Sequence, residues 1–103
     1  MRSGDLRMRS AALDFEQLIR ARGDYAHVNV RPRARHLNVE VVGSDGERVI
    51  VARATPIGAD EYGLSFRRHT GQWEPMPVSG NLQEIADGLT SLLAPYLDRA
   101  NIA

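Results

Sequence analysis

Cysteine is missing from this chain of 103 residues, which removes disulfides, thiolate metal sites and a cysteine nucleophile. Lysine is missing as well: all thirteen basic residues are arginine. A GC-rich coding sequence produces that bias, and it also fills the surface with planar, bidentate guanidinium groups. Aromatic residues are few, with one tryptophan, three tyrosines and two phenylalanines. No stretch approaches the run of about 18 apolar residues that a membrane span needs. The N-terminus has arginines but no apolar segment after them, so no secretory signal is expected, and a cytoplasmic protein is the expectation. Glycine-rich phosphate loops are also lacking, because Gly43-Ser44-Asp45-Gly46 reads as a hairpin turn and not as a strand-to-helix cradle. The formal net charge is zero, which argues against bulk electrostatic capture of nucleic acid.

The charge is unevenly spread. Residues 1–35 hold eight arginines and four acids, residues 36–80 four arginines and six acids, and residues 81–103 one arginine and three acids. The N-terminal third is therefore the positive end.

What is present is organised around residues 25–55, which read as three consecutive strands. Ala26, Val28 and Val30 alternate with Tyr25, His27 and Asn29, the period of a strand buried on one face. Leu37, Val39 and Val41 then alternate with His36, Asn38 and Glu40. Asp45-Gly46 is a strong hairpin signal. With those two residues as the loop, Val41 pairs with Ile50, Val39 with Ala52 and Leu37 with Ala54, all on the core face. The outer face then shows Val42, Val49 and Val51 as an apolar stripe. For the preceding hairpin, a loop of Pro32-Arg33-Ala34-Arg35 sets Arg31 opposite His36, Asn29 opposite Asn38, and His27 opposite Glu40.

Residues 1–9 read as a flexible, Arg-rich segment in which Met8 competes with Met1 as the native start. Ser10 is the expected N-cap of a helix to Arg22, whose stripe is Ala11, Phe15, Leu18 and Ile19, with Gly23 as its stop. Residues 56–61 read as a loop and residues 62–68 as a fourth strand. Thr70-Gly71 turns the chain so that residues 72–78 can return as a fifth strand, setting Arg67 opposite Glu74 and Arg68 opposite Trp73. Pro75 and Pro77 confine that strand to an edge. Asn81 and Glu84 form a capping box for a last helix that Pro95 should bend or end near Ala94. Residues 99–103 read as a loose tail. The expected fold is α+β, a two-layer sandwich over residues 10–98. It comprises an N-terminal helix, an antiparallel meander of four or five strands and a C-terminal helix, with both helices on one face of the sheet.

The other face stays open and is the expected working surface. His27 beside Glu40 invites an acid–base reading, but such a pair on an open sheet is more often solvated, and no serine or threonine is placed as a nucleophile beside it. His27, His36 and His69 lack the spacing of zinc motifs. No catalytic residue, metal or cofactor is therefore assigned. The sharpest feature is the arginine cluster: Arg31, Arg33 and Arg35 at one hairpin with His36 and Arg53, and Arg67 and Arg68 near Trp73. Guanidinium forks suit anionic partners. The reading is a non-catalytic protein-interaction module using the open face and this hairpin, with self-association through Val42, Val49 and Val51 to make a homodimer. The alternative is an RNA or single-stranded DNA binder in which Trp73 supplies a stacking surface. No membrane partner is expected.

Overall fold

Alternation of apolar and polar residues commits each strand to one buried face. The computed structural model shows where that face goes; it describes residues 3–98, with side chains from residue 6 onward. A helix α1 (Ser3–Arg20) precedes five strands: β1 (Val28–Arg33), β2 (His36–Val42), β3 (Arg48–Gly58), β4 (Glu61–Arg67) and β5 (Trp73–Gly80). A helix α2 (Leu82–Leu92) and a single turn α3 (Ala94–Leu97) follow. The strands form one antiparallel sheet in the order β1-β2-β3-β4-β5. The fold is the α+β meander expected, and the fifth strand forms at an edge, where its two prolines are tolerated.

One core joins helices and sheet. Phe15 and Ile19 of α1, Ile85, Ala86 and Leu89 of α2, and Leu97 of α3 are fully buried against Val28, Leu37, Val39, Val41, Ala52 and Leu64. Each large apolar side chain buried this way is worth about 1.5–3 kcal/mol. Arg22 ties the end of α1 to α2, its Nε donating to Asp87 Oδ1 at 2.6 Å.

Several local expectations are met. The capping box of α2 closes reciprocally: Glu84 N–H donates to Asn81 Oδ1 (2.9 Å) and Asn81 N–H to Glu84 Oε1 (3.1 Å). Pro95 stands at the start of α3, where a missing N–H is harmless. Other expectations are corrected. The first helix starts at Ser3, so Ser10 lies in its interior and caps nothing; residues 1–2 and the 99–103 tail lie outside the described residues. Residues 56–58 belong to β3, which turns to β4 through Ala59 and Asp60.

The hairpin registers differ more instructively. Between β2 and β3 the loop is three residues, Ser44-Asp45-Gly46, closed by Gly43 N–H donating to Glu47 O at 2.8 Å, with Gly46 at φ +85. This shifts the pairing at the tip by one residue, so Val41 faces Val49 and Glu40 faces Ile50. A bulge then restores the expected pairs Val39–Ala52, Asn38–Arg53 and Leu37–Ala54, leaving Val51 as the extra residue. The β4–β5 hairpin is built the same way: Arg68 N–H donates to Gln72 O, and Gly71 takes φ +90. Arg67 consequently faces Trp73, and Phe66 faces Glu74. Between β1 and β2 the loop is only Ala34-Arg35, with Ala34 at φ +53. That slides the expected register by two residues, an even number, so each side chain keeps its face but changes its neighbour.

Candidate functional site: the open sheet face

All the described helices lie on one side of the sheet, and the opposite side has no covering layer among the described residues. The side chains on it follow from the registers. Asn29, Arg31 and Arg33 come from β1, and His36, Asn38 and Glu40 from β2. Ile50 and Arg53 come from β3, Arg67 from β4 and Trp73 from β5. Arg33, His36, Asn38, Ile50, Arg53, Arg67 and Trp73 line one shallow concavity of about 430 Å³.

Two of its arginines lie over Trp73. The Arg53 guanidinium carbon lies 4.1 Å from the indole centroid and that of Arg67 5.8 Å from it, both within cation–π range. The expected partner Arg68 is elsewhere: it follows Leu64 and Phe66 to the helix side, where its Nε lies 4.0 Å from Glu74 Oε2, and the three-residue turn sets Trp73 opposite Arg67 instead. The Arg53 Nε is shut from solvent and has no hydrogen-bond partner. Glu40 is the one acid among these side chains and is only 9% exposed. Its Oε1 stands 3.2 Å from Arg31 Nε, an ion-pair contact without hydrogen-bond alignment. Asn38, 8% exposed, lies between Arg31 and Arg53 in the strand register.

His36 shares a 2.8 Å hydrogen bond between its Nδ1 and Thr55 Oγ1. Burial first, and then the charges of Arg53 and Arg35, push its pKa below the ordinary histidine value, so at neutral pH the ring is uncharged. Arg35, at the hairpin tip, reaches Pro56 O at 3.4 Å.

The structure thus brings Arg31, Arg33, His36, Arg53, Arg67 and Trp73 together, leaves Arg35 at the rim and removes Arg68. It also dissolves two expected constellations. His27 is not opposite Glu40; it precedes β1, and its Nε2 meets Leu97 O at 2.6 Å. The Val42, Val49 and Val51 stripe does not exist as an outer surface. The bulge turns Val51 into the core at 6% exposure, Val49 packs against that core, and Val42 alone keeps the outer side, paired with Arg48. Among the described residues no three His, Asp or Glu converge to hold a metal, and no helix is long and apolar enough to cross a membrane. Sequence reasoning missed Ile50 as the outward apolar residue, because four apolar residues in a row, Val49 to Ala52, erase the alternation that would have marked the bulge.

The sheet's outer edges offer a partner little. Along β1, Glu16 Oε1 accepts from Val30 N–H at 2.8 Å, and Arg20 Nε donates to Val28 O at 3.1 Å. Two backbone groups that could template a further strand are thereby occupied by α1 side chains. On β5, Pro75 and Pro77 interrupt the row of donors. Comparison with family models, curated proteins and solved structures gives no significant match.

Proposed function

We propose that this protein is a non-catalytic interaction module that docks an acidic protein surface on its open sheet face. The observation that supports this most strongly is the charge imbalance of that face: Arg31, Arg33, Arg53 and Arg67 against the single carboxylate Glu40, in a chain whose net charge is zero. Tryptophan and arginine are the residue types that most often dominate binding energy at protein interfaces, and here they are stacked and positioned by strand backbone in advance. Glu40 engages Arg31, leaving Arg33, Arg53 and Arg67 as the cations directed at a partner. The acid–base alternative loses its motive once His27 and Glu40 are apart.

A second reading, single-stranded RNA, draws on one feature: the Trp73 ring with the Arg53 guanidinium 4.1 Å from its centroid pairs an aromatic with a cation, the side chains on which bases stack. Titrating fluorescent polyglutamate and a homopolymeric RNA against the wild type and an Arg53→Ala/Arg67→Ala/Trp73→Ala variant separates the two. The proposal expects polyglutamate to bind, salt-sensitively, and the variant to lose most of that binding. RNA binding that exceeds polyglutamate binding at equal salt transfers the face to the second reading. Polyglutamate binding unchanged in the triple variant overturns the assignment of the face.

A further inference from the structure

The β3–β4 ladder is incomplete. Its last pair is Ala52–Phe66, yet β3 starts four residues earlier, at Arg48. β4 leaves the sheet after Arg67 and turns back through His69, Thr70 and Gly71. Residues 48–51 of β3 therefore have no strand opposite them on that side among the described residues. In place of the missing strand there is a cleft of about 630 Å³, the largest of the described cavities. Val49 and Val51 form its floor, and Pro95 with Tyr96 of α3 its wall. Tyr96 is 50% exposed and stacks on Phe66 at 6.2 Å between ring centroids. Arg48, Arg67 and Arg68 stand around the rim, and Glu74 lies 4.0 Å from Arg68.

We propose that this cleft takes an extended acidic peptide, which adds a short strand to β3. Three features select that occupant. A strand edge presents unpaired N–H and C=O groups that another backbone satisfies and an apolar small molecule does not. The apolar floor beside arginines at the rim matches a peptide with period-2 alternation, apolar side chains turned inward and carboxylates turned to the guanidinium groups. The unpaired stretch of β3 also sets the length, since four strand residues span roughly 13 Å. The cleft meets the open face at Ile50 and Arg67, which line both, while Val49, Val51 and Tyr96 lie on the helix side of the sheet.

The probe is a labelled, end-blocked hexapeptide of alternating glutamate and valine, followed by fluorescence anisotropy. Two control peptides accompany it, one with lysine in place of glutamate and one N-methylated on alternate backbone nitrogens. The expected result is saturable binding of the glutamate peptide with slowed amide exchange within residues 48–51. Binding should weaken by roughly tenfold or more in Arg48→Glu/Arg68→Glu, whose two side chains are exposed, because a like charge then meets the carboxylates. The lysine and N-methylated peptides should bind poorly. Arg53→Ala/Trp73→Ala, which disrupts the open face, should leave the peptide-induced slowing of amide exchange within residues 48–51 unchanged, so this site and the open-face reading fail separately. Absence of binding at millimolar peptide overturns the proposal. Equal binding of the N-methylated peptide, or indifference to the charge reversal, overturns it too.

Discussion

His36 carries the pH signature of the open face. Burial, Arg53 and Arg35 all disfavour its protonated form in the folded protein, so the unfolded chain takes up that proton more readily. The contribution to stability is complete above the ordinary histidine value of 6.5. It declines as pH falls from there through the lower folded value, and it is flat below that. Urea midpoints at pH 8, 6.5 and 5 should therefore fall more steeply in the wild type than in His36→Gln; parallel profiles would remove this role. Val51 makes a second test at this scale. Val51→Glu puts a carboxylate at a position 6% exposed, on the floor of the Arg-rimmed cleft, and should cost about 2 kcal/mol or more, whereas Val42→Glu, on the outer side across from Arg48, should stay within about 1 kcal/mol. Guanidinium unfolding compares the two, and equal effects would contradict the bulge. Most of the arginine cluster was legible in the sequence, because an even register shift keeps a residue on its face. Val49, Val51 and Trp73 were misplaced because odd shifts do not, and Arg68 lost Trp73 as its partner for that reason.

At the scale of elements, one cause explains both odd shifts. Asp45-Gly46 and Thr70-Gly71 each look like two-residue turns, but each glycine is the last member of a three-residue loop, at φ +85 and φ +90. A left-handed glycine serves both turn types, and the dipeptide alone does not choose between them. The opposite error occurs at Ala34, where no glycine marks the left-handed position and a longer loop is the natural reading. That position makes a prediction: Ala34→Gly should stabilise the fold by about 1 kcal/mol, by relieving an L-residue at φ +53, seen as a higher thermal midpoint at equal unfolding cooperativity. The helices were easier to read where capping chemistry spoke, as at Asn81 and Glu84, and harder at α1, whose start no capping motif announces. Edge protection is also an element-level property. Glu16→Ala/Arg20→Ala frees the backbone of Val28 and Val30, and light scattering should then show concentration-dependent association that the wild type lacks. Variants that stay monomeric would mean that α1 guards the β1 edge by bulk and not by those two bonds.

At the scale of the molecule, the helices take one side of the sheet, and the arginines of β1, β3 and β4 collect on the other around Trp73. The layer order was legible because the strands alternate and both helices carry a single apolar stripe, which two layers alone bury economically. The cleft at the end of β3 was not legible. It arises where β3, the β4–β5 turn and α3 meet, and no local pattern reports a strand that stops short of its neighbour. The proposed function sets an acidic partner on the uncovered face. It is tested most directly by a two-dimensional amide and indole NMR titration with an end-blocked oligoglutamate at moderate salt. The Trp73 indole N–H and the backbone signals of Asn38, Arg53 and Arg67 should shift together and saturably, while α1 and α2 remain still. Shifts confined to the helices, or none at all with the folded spectrum intact, would contradict it.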